Sequence, residues 1–158
     1  MTDAIARARL AVNKSYTYAM RKGSSKPDQA LPGVTVAGVR YCDCSDLVAW
    51  AYGYQRGDLN TDGIILDARG AQKQWREVPV PEVGGIIVFA GKFSGGKRVK
   101  LGHVAIVTEV LEPWRVSTLR IIDCSASNPM GRAIQERGAA HFERARRAGR
   151  SVFFAVAV

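Results

Sequence analysis

An α+β domain built around an antiparallel sheet is the fold class predicted by this 158-residue sequence. Three observations carry that expectation. Helical periodicity is concentrated in the first half, β-branched runs gather from Gly85 onward, and helix and strand do not alternate as crossover units of a parallel sheet would. With 47% hydrophobic residues the chain can bury a sizeable core, so one domain over residues 1–158 is expected, its N-terminal helices packed on the sheet.

Taken in order, Ile5, Ala8, Val12 and Tyr16 recur at three- and four-residue spacing and predict a first helix from Asp3 to about Lys22. Gly23 to Gly38 holds the glycines, prolines and serines of a surface loop. Leu47, Trp50, Ala51 and Tyr54 predict a second helix from Cys44 to Tyr54 with Asp43 as its N-cap. Asn60-Thr61-Asp62 opens a third helix reaching about Trp75, before Pro79 and Pro81. Strands are expected at Ile86-Ile87-Val88-Phe89, Val104-Ala105-Ile106-Val107, Leu119-Arg120-Ile121-Ile122 and Val152-Phe153-Phe154. The Arg-rich stretch Gly131 to Arg150 reads as a solvated helix or loop.

Composition narrows the function classes. Three cysteines are an odd number, which argues against a disulfide framework and for a thiol kept for reactivity or burial. The start Met-Thr-Asp lacks the pattern of a secretory signal, and no apolar run is long enough to span a membrane. Synthesis in the cytoplasm is therefore expected. A net charge of +9 favours anionic partners.

A thiol attacks as thiolate, and the first turn of a helix places partial positive charge beside the sulfur. Cys44 has that position; Cys42 and Cys124 do not. Only two histidines exist. His103 opens the strand through Val107 and so stands at the rim of the sheet, whereas His141 lies among arginines. Strand alternation puts His103 with Ala105 and Val107, and Asp123 with Leu119 and Ile121. If that face packs on the Cys44 helix, then Cys44, His103 and Asp123 are nucleophile, base and orienting carboxylate, and Cys124 points away. Burial of Cys44 as a small helix residue and a purely structural His103 are the plainer alternatives.

The segment Asp43-Cys44-Ser45-Asp46-Leu47-Val48 resembles the Asp-Cys-Ser-Gly motif of NlpC-type and CHAP-type papain-like peptidases. Gly102-His103-Val104-Ala105-Ile106-Val107 is similar to their Gly-His-Val-Gly-Ile-Tyr strand. Pro81 to Phe89 is similar to the Pro-Gly-Asp-Leu-Val-Phe-Phe strand before it, and Ile122-Asp123-Cys124-Ser125 maps onto the strand bearing the third polar residue. The resemblance covers roughly residues 41 to 126. It implies a papain-like fold and a cysteine peptidase or amidase cutting amide bonds of bacterial peptidoglycan, with Cys44, His103 and Asp123 catalytic and no cofactor or metal. It further implies a lytic role in the periplasm or cell wall, as in a phage endolysin or an injected effector, with a holin-type delivery system or an immunity protein as partner. Two departures stand out: Asp46 replaces the family glycine, where it binds a substrate amine or faces water, and Asp123 replaces the commoner His, Asn or Gln. Tyr41 is a possible match to an upstream family tyrosine, and the Cys44 backbone N–H is the natural oxyanion donor.

Three other readings use the same residues. Cys42, Cys44, Cys124 and His103 form a zinc set by type, although Cys-x-Cys spacing is tight for it. The charge and arginine cluster suit nucleic acid, but no specific recognition motif accompanies them. A papain-like acyltransferase or deamidase would use the same Cys44 and His103.

Overall fold

The computed structural model describes residues 2–20, 25–54 and 60–158. Helix α1 (Thr2–Ala11) is followed by three short strands, β1 (Thr17–Tyr18), β2 (Val34–Val36) and β3 (Val39–Cys42). Helices α2 (Cys44–Ala51) and α3 (Thr61–Arg69) come next, then β4 (Trp75–Val78), β5 (Ile86–Phe89), β6 (Lys92–Ser94), β7 (Lys97–Lys100) and β8 (His103–Glu109). A 3₁₀ turn (Val116–Thr118) leads to β9 (Arg120–Cys124), β10 (Ile134–Gly138), α4 (Ala140–Arg147) and β11 (Val152–Ala157).

The centre is a six-stranded sheet in the order β10-β9-β8-β5-β11-β4, antiparallel at every pairing. Alternation along its strands sorts the core into two layers. Ile86, Val88, Val104, Ile106, Ile122 and Cys124 turn toward α1, α2 and α3, whereas Ile87, Phe89, Ala105, Val107 and Ile121 turn toward α4 and the 3₁₀ turn. Every residue of α2 is buried. Its apolar residues lie in the interior, each large side chain such as Leu47 contributing about 1.5–3 kcal/mol by leaving water, and its polar Ser45 and Asp46 are buried with hydrogen-bond partners.

The α+β architecture matches the expectation; several boundaries do not. The first helix stops at Ala11 because Asn13 takes a left-handed φ of 64° and the β-formers Thr17 and Tyr18 pair in parallel with β3. Its expected last turn, residues 21–22, lies outside the described residues. β2 interrupts the expected Gly23 to Gly38 loop by pairing Val34–Val36 with Val39–Tyr41. Helix α2 ends at Ala51, where Gly53 reverses the chain with φ 73°. Helix α3 ends at Gly70, which leaves Trp75–Val78 free to pair with β11. Gly131 to Arg150 departs most, since it supplies both β10 and α4. Ile134 and Phe142 are fully buried there, Arg132, Arg144, Arg146 and Arg147 are exposed, and Arg137 turns inward to Asp123.

Candidate active site

Strand β3 delivers the chain to Asp43, whose extended backbone (φ −122°, ψ 176°) begins α2. The Asp43 carboxylate accepts from the Asp46 N–H at 3.0 Å and from the Ser45 hydroxyl at 2.9 Å. This is the N-cap expected from the sequence. It fixes the first turn and makes Cys44 the first helical residue, beside N–H groups that have no intrahelical acceptor.

His103 is the first residue of β8 and pairs with Phe89 of β5. Gly102, just before it, is wedged so tightly that a Cβ there would overlap the Thr61 hydroxyl and stand 2.8 Å from the Phe89 carbonyl oxygen. The His103 ring is boxed by Phe89, His141 and Phe142, with centroids 6.1, 5.2 and 5.5 Å away. Its Nε2 meets Asp123 Oδ2 at 2.8 Å, and the ring is also coupled to the Cys44 thiol. Burial works against the charged ring, but Cys44 and Asp123 outweigh it, by charge and by hydrogen bonding, and lift the His103 pKa to about 9.

Asp123 is fully buried on the α4-facing side of β9. Besides His103 it takes a two-pronged ion pair from Arg137, Nε to Oδ1 at 3.0 Å and Nη2 to Oδ2 at 2.7 Å, and a 3.3 Å hydrogen bond from Asn128 Nδ2. Burial alone would raise its pKa; the bonds from His103 and Arg137 reverse that and bring it down to about 2. His141, on α4, holds Nε2 3.5 Å from Asp123 Oδ2, buried and without a hydrogen-bond partner. Burial pushes its pKa down to about 4, so the ring is neutral near pH 7.

The three residues singled out from the sequence therefore meet at one place, though not on the face expected. His103 and Asp123 share the α4 side of the sheet, while α2 packs on the other, and Cys44 reaches His103 around the rim because β8 begins there. Cys124 consequently faces α2, with its thiol donating to the Cys42 carbonyl at 3.3 Å. Asp46 is a second correction. It neither faces water nor awaits a substrate, because its carboxylate is buried and accepts the Ser25 N–H and hydroxyl, each at 2.7 Å. Arg137, His141 and Asn128 were missed. The one signal pointing to them was Phe142, an aromatic residue set among charges at helical spacing.

The zinc set of three cysteines and His103 does not gather. Among the described residues the converging donors are His103, Asp123 and His141, with ligand atoms within 4.8 Å of one another. Arg137 already covers both Asp123 oxygens with positive charge, which works against a second cation. The geometry instead suits proton handling beside a thiol. A cleft of about 240 Å³, lined by Tyr16, Tyr18, Ser125, Asn128 and neighbours, opens beyond the end of β9.

A family model for the CHAP domain matches residues 34–124, more than half of the chain. The chain belongs to the CHAP domain family. Such domains are found in peptidoglycan-hydrolysing cysteine peptidases and amidases, in agreement with the papain-like α+β fold. The matched segment of this CHAP domain runs from β2 to the end of β9 and contains Cys44, His103 and Asp123, whereas Arg137 and His141 lie beyond it. No curated protein matches the chain. Among the described residues no helix is long and apolar enough to cross a membrane.

Proposed function

We propose that residues 1–158 act as one catalytic domain that cleaves an amide bond of bacterial peptidoglycan, with Cys44 as nucleophile, His103 as acid and base, and Asp123 as the carboxylate that orients His103. The observation that carries this reading is the placement of the His103 ring between Asp123, at 2.8 Å from Nε2, and the Cys44 thiol. Attack by the Cys44 sulfur on the carbonyl gives a thioester after His103 donates its proton to the departing amine; His103 then takes a proton from water, which releases the acid. The first-turn N–H groups of α2, including that of Cys44, are suited to hold the developing oxyanion. The cleft beyond β9, joined to the site through Asn128 and its bond to Asp123, supports a binding place for part of the substrate. Lysis of a bacterial cell, after delivery to the wall by another system, is the biological role in keeping with this chemistry.

The test is digestion of purified sacculi by the protein and by its Cys44→Ala variant, with the soluble products identified by mass spectrometry. Peptide or glycan fragments from the unaltered protein alone support the proposal, and their masses name the bond. Products in which the acyl group is joined to a new amine would replace hydrolysis with transfer. No release by a folded protein would remove peptidoglycan as substrate.

A further inference from the structure

Between Glu82 and Glu109 the chain carries Lys92, Lys97, Arg98 and Lys100 and not one carboxylate. These cations lie on the hairpin β6–β7, every strand residue of which is exposed. The hairpin is held firmly at its base. The Gly91 N–H donates to Asp62 Oδ1 at 3.0 Å, Arg98 pairs with the same Asp62, and Arg150 donates to the carbonyls of Ala90 and Leu101. Arg98 also lies over the Phe93 ring, 5.2 Å from its centroid.

The arginine-rich C-terminal stretch looks more basic in sequence, but half of its six arginines are engaged in ion pairs. Arg137 is committed to Asp123, and Arg146 and Arg147 to Glu143. By contrast, among the described residues Lys92, Lys97 and Lys100 enter no ion pair. Lys92 and Lys100 are moreover direct cross-strand partners. Opposed residues of antiparallel strands hold their Cβ atoms about 5 Å apart, and like charges so placed destabilise the pair. An oxyanion seated between the two ammonium groups converts that repulsion into attraction. The position is close to the chemistry, since Lys100 precedes His103 by three residues, at most roughly 10 Å of chain.

We propose that the β6–β7 hairpin is a substrate-binding arm, with Lys92 and Lys100 clamping a carboxylate of the peptidoglycan peptide and Lys97 adding to the attraction. This assignment rests on the peptidoglycan reading above and specifies which part of that polymer the protein grips. The peptide portion of peptidoglycan carries free carboxylates near its amide bonds, which makes it the anionic partner within reach of a lysine pair beside the site.

The decisive comparison is between the unaltered protein and Lys92→Gln/Lys100→Gln, assayed on soluble peptidoglycan fragments with free carboxylates and on the same fragments after amidation. With free carboxylates the double variant is expected to raise KM about tenfold and to leave kcat within about twofold, as loss of ground-state binding does. With amidated fragments the two proteins should have the same KM. Added salt should raise KM for the unaltered protein much more than for the variant. An unchanged KM, or an equal rise on both substrates, overturns the proposal. Cosedimentation of the Cys44→Ala protein with sacculi, with and without the lysine changes, reads the hairpin independently of turnover. If the unaltered enzyme releases nothing but the lysine changes abolish cosedimentation, the hydrolase reading fails and the arm stands. If cosedimentation is unaffected while vesicles of anionic phospholipid bind through the same lysines, the arm serves a membrane and the proposal is wrong.

Discussion

Replacing Asp123 by asparagine keeps the shape of the side chain and removes its charge from the centre of the site. Asp123 is fully buried, and its pKa is held at about 2 instead of 3.8 by His103 and Arg137. A folded-state pKa below the unfolded value contributes stability that is fully present above pH 3.8 and is lost as the pH falls through about 2. The difference corresponds to about 2 kcal/mol near pH 7. Asp123→Asn should therefore be less stable by about that amount at neutral pH, with the gap closing in strong acid. Catalysis should suffer separately. The 2.8 Å contact to His103 Nε2 is a charge-assisted hydrogen bond. Its loss, about 1.5–3 kcal/mol, predicts a roughly 10- to 150-fold lower kcat/KM. The His103 pKa, about 9 in the unaltered protein, should fall as well, so the alkaline limb of kcat/KM moves to lower pH. A chemical melt across pH and a pH–rate profile on soluble fragments read the two effects independently. A folded variant with kcat/KM within about threefold and an unmoved alkaline limb would refute the orienting role and leave Asp123 as a structural ion pair.

Other expectations follow from the same geometry. Gly102→Ala should cut activity more than tenfold and lower the melting temperature, because its Cβ would overlap the Thr61 hydroxyl beside the Phe89 backbone and so displace His103; activity at the unaltered level would show that the loop yields freely. Asp46→Ala should lower the melting temperature by roughly 3–10 °C with little change in kcat, since it strands the buried Ser25 N–H; a collapse of kcat without loss of stability would place Asp46 in the chemistry instead. Alkylation of the native protein by iodoacetamide should label Cys44 first, because burial raises the Cys42 pKa and Cys124, also raised, donates to the Cys42 carbonyl; peptide mapping that finds Cys42 or Cys124 modified earlier contradicts this.

Much of the candidate site was legible in the sequence for physical reasons that can be named. Asp43 and Cys44 stood out because a cap must immediately precede a helix, and His103 because a histidine opening an apolar run falls at a sheet rim. Face and partner were not legible. Alternation says which residues share a side but not which helix covers that side, and here α4 covers the one bearing His103 and Asp123. Helix α4 was legible only as one of two alternatives, a solvated helix or a loop, because its apolar contribution is small, Phe142 among many charges. The short strands β1 to β4 escaped notice for a related cause. Each is two to four residues long, and β1 and β4 owe their form to partners distant in sequence.

Two of the groups that steady Asp123, Arg137 and Asn128, come from outside the segment matched by the family, and this bears on how the site is tuned. Arg137 on β10 shares the carboxylate with His103, so the negative charge that lifts the His103 pKa is partly offset by a guanidinium. Removing that cation should act on His103 in the opposite sense to removing the anion. In Arg137→Gln, Asp123 loses a charge-assisted partner and its pKa climbs from about 2 toward the ordinary carboxylate value, while the His103 pKa rises further because a nearby positive charge is gone. The alkaline limb of kcat/KM should thus move up in Arg137→Gln and down in Asp123→Asn. Both variants should lose stability, Arg137→Gln by about 1–3 kcal/mol for the charge-assisted bonds it gives up. A purely structural role for the Arg137 clamp would move stability alone and leave both limbs of the pH profile where they are, so opposite displacements of the alkaline limb are the signature of a charge relay of influence from β10 through Asp123 to His103.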